Sequence, residues 1–265
     1  MNEYNTNDLS SDWLQLRGKT VVVTGAGSGV GRATALEFAR AGARTILLDI
    51  NEPAAAQTSE TITRDYGTET MSAQMDVSSE ASVAQAVEAI AGFTDHIDAC
   101  ANIAGILRGD VLEKVSAADW NAVLSVDLTG VLLPSRAFKP LMQSGGSFVH
   151  VSSVAGSNPV AAGGAYSTAK AGLTMLSRQM AVEWGPEGIR SNTVSPGYLL
   201  TAMTERIYET PGVRERREQR VPMKRIGDVE EISHVILFLA SARSSYVTGQ
   251  DIVVDGALTQ TVMSA

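Results

Sequence analysis

Eight residues, Thr24-Gly25-Ala26-Gly27-Ser28-Gly29-Val30-Gly31, join a β-branched run at 19–23 to a helical pattern at 32–41. Strand, tight turn and helix in that order leave few architectures open. Glycine lets a backbone approach a pyrophosphate closely, with the N–H groups of the helix N-terminus aimed at it, although a merely flexible glycine loop reads the same in isolation. The spacing, Gly-x-x-x-Gly-x-Gly through Gly25, Gly29 and Gly31, differs from the commoner Gly-x-Gly-x-x-Gly. The same alternation continues along the chain. Strand-like runs occupy 45–49, 71–76, 97–103, 147–152, 190–194 and 251–254, and helical patterns occupy 53–65, 80–91, one long stretch at 117–142, then 165–184 and 228–240. Strands this continuously apolar are buried on both faces, and short connections between alternating elements give right-handed crossovers. The expectation is an α/β domain: a doubly wound parallel sheet of about seven strands inside a three-layer sandwich.

With 265 residues the chain has the size of one such domain, expected over 13–265 behind a polar, mobile arm at 1–12. One segment, 198–225, loses apolar periodicity and gathers Arg214, Arg216, Arg217 and Arg220, so it reads as a substrate lid over the carboxyl edge of the sheet. Net charge is −8 with no run of Lys or Arg outside one short stretch, which argues against nucleic acid as a partner. Cys100 is the sole cysteine, and His96, His150 and His234 stand apart, so neither a disulfide nor a metal site is expected. The N-terminus lacks the order of a signal peptide and no apolar run approaches a membrane span; a soluble, cytoplasmic chain with no membrane partner is expected.

Asp49 ends the second strand, 18 residues beyond Gly31, where a carboxylate accepts both ribose hydroxyls of an adenosine and repels a 2′-phosphate. It could instead cap the next helix, a task Asn51 can also perform. Ser28 and Ile50 are not basic, and of the candidates to neutralise a 2′-phosphate, Arg32 and Arg44, the former is expected on a helix surface. NAD is expected ahead of NADP. Further along, Tyr166 and Lys170 stand four apart in a helical stretch, on one face and within reach of each other. Ser153 closes the preceding strand, 13 residues before Tyr166.

These residues, with Asp76-Val77, Asn102-x-Ala104-Gly105, Asn192 before Ser195-Pro196-Gly197, and Tyr246-Val247-Thr248-Gly249-Gln250 leading to Val254-Asp255-Gly256, resemble the short-chain dehydrogenase/reductase family over nearly the whole chain. The resemblance implies a Rossmann-like fold, hydride transfer between a nicotinamide cofactor and an alcohol or ketone, and a homotetramer. Ser153, Tyr166 and Lys170 would be catalytic. Tyr166 would act as general base in oxidation and general acid in reduction, its phenol, ordinarily near pKa 10, drawn toward phenolate by Lys170 and the oxidised ring. Ser153 would donate to the substrate oxygen. Cofactor contacts are expected at Gly25, Ser28, Gly29, Val30, Gly31, Asp49, Ile50, Asp76, Val77, Asn102, Ala104, Gly105, Tyr166, Lys170, Pro196, Gly197, Leu199, Thr201 and Met203. Ile103 replaces the second Asn of the family's Asn-Asn-Ala-Gly version.

A second departure lies at Val126-Asp127-Leu128-Thr129-Gly130, where relatives carry Asn in place of Asp127 and use it to hold a water that links the lysine to solvent. Asp127 is therefore counted with the catalytic group, either as a charge that offsets Lys170 or as a plain replacement for the Asn. The stretches around 181–184, 188–192 and 196–204 look like the polyol and sugar-alcohol branch, with similar segments in gluconate, cyclic-alcohol and 3-oxoacyl reductases, so a polyol, sugar alcohol or cyclic alcohol is the expected substrate. Val154, Leu199, Leu200 and Met203 could form a small apolar subsite, and the lid arginines could meet an anionic substrate or pair with Glu215 and Glu218 on a solvated face. Two other readings stand beside this one: an NADP-dependent carbonyl or 3-oxoacyl reductase, and a non-catalytic NAD-binding subunit.

Overall fold

The computed structural model describes residues 12–201 and 203–263; the expected arm at 1–12 lies outside the described residues except for Asp12. Seven strands form one parallel sheet in the order β3-β2-β1-β4-β5-β6-β7: β1 (Thr20–Thr24), β2 (Arg44–Asp49), β3 (Thr70–Gln74), β4 (Ile97–Asn102), β5 (Met142–Val151), β6 (Arg190–Pro196) and β7 (Asp251–Val254). The doubly wound Rossmann-like α/β fold expected from the alternation is the fold observed.

Alternate residues of the inner strands feed opposite cores, which is why those runs are largely apolar, whereas the edge strands β3 and β7 are only half-buried. Val21 and Val23 of β1, Leu47 of β2 and Val149 of β5 join one cluster with residues of helices α1 (Gly29–Arg40), α2 (Glu52–Tyr66) and α9 (Val229–Ala240). Val22, Ile46, Leu48 and Phe148 point the other way, against α3 (Glu80–Ala91) and α5 (Gly130–Phe138). The sandwich therefore has three layers. Sheet order reverses between β1 and β4, so a crevice opens beyond their carboxyl ends.

Where one helix was expected over 117–142, the chain makes four pieces: α4 (Ala117–Leu124), a π turn (Ser125–Thr129), α5 and a 3-10 turn (Lys139–Leu141), with β5 already under way at Met142. Pro134 lies inside α5, has no N–H to give the Gly130 carbonyl, and crowds it, so a continuous ladder through Gly130 is unavailable. The π turn carries Asp127 inward, fully buried. Helix α6 (Tyr166–Trp184) follows β5. Two short helices, α7 (Glu205–Tyr208) and α8 (Val213–Arg220), lie in the segment after β6.

Candidate active site

The turn after β1 is built on two kinds of glycine. Gly25 has φ +71, and a Cβ there would stand 2.9 Å from the Ala104 backbone; a Cβ on Gly31 would stand 1.9 Å from the Gly25 carbonyl oxygen. Only glycine lets β1, the Ala104 loop and α1 come this close. At the head of α1, Ser28 makes no side-chain cap and the first turn carries no acidic residue, so its N–H groups remain for an anion. Thr24 ties the two sides of the crevice together: its hydroxyl oxygen accepts from the N–H groups of Ile103 (3.0 Å) and Ala104 (3.2 Å).

A cleft of about 340 Å³ occupies this position, lined by Gly25, Ser28, Gly29, Val30, Gly31, Asp49, Ile50, Asp76, Val77, Ala104, Gly105, Asp127, Ser153, Tyr166, Lys170, Pro196, Gly197, Leu199, Thr201 and Met203. The structure thus brings together every expected catalytic and cofactor residue but one, while of the expected apolar subsite Leu199 and Met203 line the cleft and Val154 and Leu200 do not. Asn102 is the exception. It is buried below the cleft, donating from Nδ2 to Ser135 Oγ and to His150 Nδ1, each at 3.1 Å. Its side-chain nitrogen is engaged in the strand core, below the lining surface. Ile106 and Thr204 line the cleft without having been singled out, Ile106 because an apolar residue in a loop carries no motif. Thr204 is an anchor of the lid's first turn, its hydroxyl donating to the Leu199 carbonyl at 2.7 Å and accepting from the Thr201 N–H at 3.0 Å.

Asp49 accepts from the Gly27 N–H through Oδ2 and from the Asn51 N–H through Oδ1, both at 2.8 Å. Asn51 caps α2 by accepting from Ala54 N–H, so Asp49 is not spent on that cap. It fixes the glycine turn while leaving negative charge in the cleft. Arg32 and Arg44 do not line it. Arg44 is engaged elsewhere, with Glu69 at 2.7 Å and over the Phe93 ring. Asp76 lines the cleft with Oδ1 held by the Ser78 hydroxyl at 2.6 Å. Glycine turn, free helix N-terminus and acidic strand end together fit a dinucleotide.

Opposite these stand the chemical groups. Ser153 ends the β5 connection, its oxygen accepting from Ala155 N–H at 3.1 Å, which leaves the hydroxyl proton to donate elsewhere. Tyr166 opens α6, and Lys170 one turn on places Nζ 5.5 Å from its ring centre. Lys170 is buried, donates to the Val151 carbonyl at 3.1 Å and stands 3.4 Å from Asp127 Oδ2. Burial works against its charge, but the Asp127 carboxylate and Tyr166 outweigh that and hold its pKa above the ordinary value. Burial is the larger effect on Asp127 and raises its carboxyl, against Lys170 and the Ile106 N–H.

The lid arginines take no part in the lining. Arg214 pairs with Glu218 at 2.9 Å, and Arg217 stacks between Tyr198 and Tyr208, 4.6 and 5.0 Å from their ring centres. Their chemistry is internal to the segment, with α8 tied back to the start of the excursion. Among the described residues no three His, Cys, Asp or Glu side chains gather as a metal site would require, and no helix is long and apolar enough to cross a membrane.

A family model described as enoyl-(acyl carrier protein) reductase matches residues 25–259. A 3-oxoacyl-(acyl-carrier-protein) reductase of Aquifex aeolicus is 36% identical over 92% of this chain and 99% of its own. D-threitol dehydrogenase of Mycolicibacterium smegmatis is 34% identical over 95% of this chain and 97% of its own. Among solved structures, levodione reductase superposes with a TM-score of 0.88 at 33% identity, covering 92% of this chain and 98% of its own.

Proposed function

The chain belongs to the short-chain dehydrogenase/reductase family, and from that premise we propose that it interconverts a secondary alcohol and its ketone with NAD, favouring substrates with an apolar, cyclic body over polyols and sugar alcohols. That it is an oxidoreductase using a nicotinamide cofactor follows from the family. The finer reading is carried by one observation: Ser153, Tyr166 and Lys170 share a cleft with the carboxylate of Asp49 and with no arginine among the described residues. The nicotinamide supplies the hydride acceptor in oxidation and the donor in reduction. Tyr166 takes the alcohol proton, or returns it to the ketone oxygen, and Ser153 donates its free hydroxyl proton to the same oxygen. Asp49 favours a ribose with both hydroxyls free over one bearing a 2′-phosphate. Ile106, Leu199 and Met203 offer the substrate an apolar wall.

The test is the appearance of reduced cofactor with NAD and with NADP across polyols, cyclic secondary alcohols, hydroxysteroids and hydroxy acids. Cyclic alcohols with NAD are expected to turn over fastest, and Tyr166→Phe is expected to lower kcat about 10²- to 10⁴-fold. Faster turnover with NADP would instead favour a carbonyl or 3-oxoacyl reductase, the reading that the name of the Aquifex aeolicus relative supports. Binding of NAD without turnover of any substrate would favour the non-catalytic subunit. A homotetramer is also proposed, supported by apolar side chains that α6 turns to solvent, Met175 and Val182.

A further inference from the structure

The π turn delivers a carboxylate into the active centre, 3.4 Å from the lysine that stands 5.5 Å from the ring centre of the acid–base tyrosine. Asp127 has no exposed surface. Its Oδ1 accepts from the Ile106 N–H at 2.8 Å, which fixes the group's orientation. Its Oδ2 is buried, receives no hydrogen bond, and faces Lys170 Nζ at 3.4 Å. Gly105 lies directly against this pair: a Cβ there would be in ordinary contact with Asp127 Oδ1 at 3.4 Å and Lys170 Nζ at 3.6 Å. An amide would give the same Ile106 contact, so what the carboxylate adds at this position is charge.

We propose that Asp127 is a positioning residue that neutralises Lys170 and so keeps Tyr166 in its phenol form at neutral pH, biasing the enzyme toward proton donation and carbonyl reduction. An ammonium unopposed beside a phenol draws it toward phenolate, whereas an ammonium paired with a carboxylate draws it much less. The elements packed on the π turn bring no competing charge to the pair. On α4, Asp119 is paired at the surface with Arg108; on α5, Arg136 reaches out to Glu80; on α6, Arg178 and Glu183 are solvent-exposed. Among the described residues, the titratable groups acting on Lys170 are Asp127 and Tyr166. This rests on Tyr166 being the acid–base residue, but the primary readout needs neither substrate nor cofactor.

The experiment follows the ionisation of Tyr166 in the unliganded enzyme by ultraviolet difference absorbance, each protein measured against its own Tyr166→Phe counterpart so that the other tyrosines cancel. Asp127→Asn and Asp127→Ala put different groups against Lys170 but share the loss of charge. In both, the Tyr166 midpoint is expected to fall by about one pH unit or more relative to wild type. The acid limb of kcat/KM for alcohol oxidation moves down with it, and the wild type reduces ketones better than the variants above neutral pH. A midpoint common to all three proteins, a shift upward, or no Tyr166 titration in any of them over the range in which they stay folded overturns the inference. Loss of turnover with a lowered midpoint leaves it standing and counts against the substrate reading alone. A variant with altered near-ultraviolet circular dichroism is set aside in favour of the other.

Discussion

His150 of β5 is fully buried, and its ring sits between Asn102 Nδ2, which donates to Nδ1 at 3.1 Å, and the Ser191 hydroxyl, 3.1 Å from Nε2. Those partners fit the neutral tautomer with the proton on Nε2; a second proton on Nδ1 would face a donor. Burial pushes the pKa down to about 3 from an ordinary 6.5. Below 6.5 the unfolded chain binds a proton that the folded chain refuses. Stability from this residue is therefore complete above pH 6.5 and falls with pH down to about 3, by at most about 1.4 kcal/mol per unit. Urea unfolding between pH 8 and 5 should show His150→Gln less stable at pH 8 but with a flatter acid slope; parallel slopes would contradict this role. Sequence marked His150 as isolated and Asn102 as a cofactor contact, because nothing in a linear chain shows that adjacent strands put them face to face. Tyr166 and Lys170 were legible since one helical turn separates them.

Arg190, the first residue of β6, shows how one element holds another. The residue is 6% exposed and among the described residues its guanidinium meets no carboxylate; instead Nη1 donates to the Leu239 carbonyl and Ser244 hydroxyl, both at 2.8 Å, and Nη2 to the Ser241 carbonyl at 3.0 Å. These carbonyls belong to the open end of α9, where a cation also meets the negative pole of the helix. Burial lowers the guanidinium pKa to about 10, which leaves it charged at neutral pH. Arg190→Ala should cost roughly 2–4 kcal/mol in urea unfolding, and Arg190→Lys a good part of that, since an ammonium cannot span all three acceptors. A loss under about 0.5 kcal/mol would mean that water replaces the contacts. In sequence Arg190 merely opens a strand. The inner strands were readable because both faces are buried, as was the turn, because Gly25 and Gly31 are forced by backbone contact. The break at Ser125–Thr129 was not, since the apolar periodicity runs through it and Pro134 marks only its aftermath.

Sheet and helices close both cores within one chain, yet two surfaces stay apolar. On α6, Met175 and Val182 are 60% and 76% exposed and stand two turns apart on one face, opposite the Leu173 and Met180 face that enters the core. At the sheet edge, Val253 of β7 is 42% exposed and Tyr246 before it is fully so. A helix apolar on two sides reads from sequence as a core helix, which is why the fold was legible there while the second face was not. Surfaces of this kind on a parallel-sheet domain call for a partner, and a second copy of the chain supplies the same faces in closed symmetry. The proposed homotetramer then requires that sedimentation of the wild type give about four times the 27.9 kDa of one chain at micromolar concentration. Met175→Glu with Val182→Glu places two like charges on each side of a symmetric contact and should reduce the assembly to a dimer or monomer without loss of helical signal. Because Met175 and Val182 face solvent further along α6 than the cleft-lining Tyr166 and Lys170, the smaller species should still bind cofactor. A wild type that sediments as a monomer, or a variant that stays tetrameric, would remove α6 from the interface.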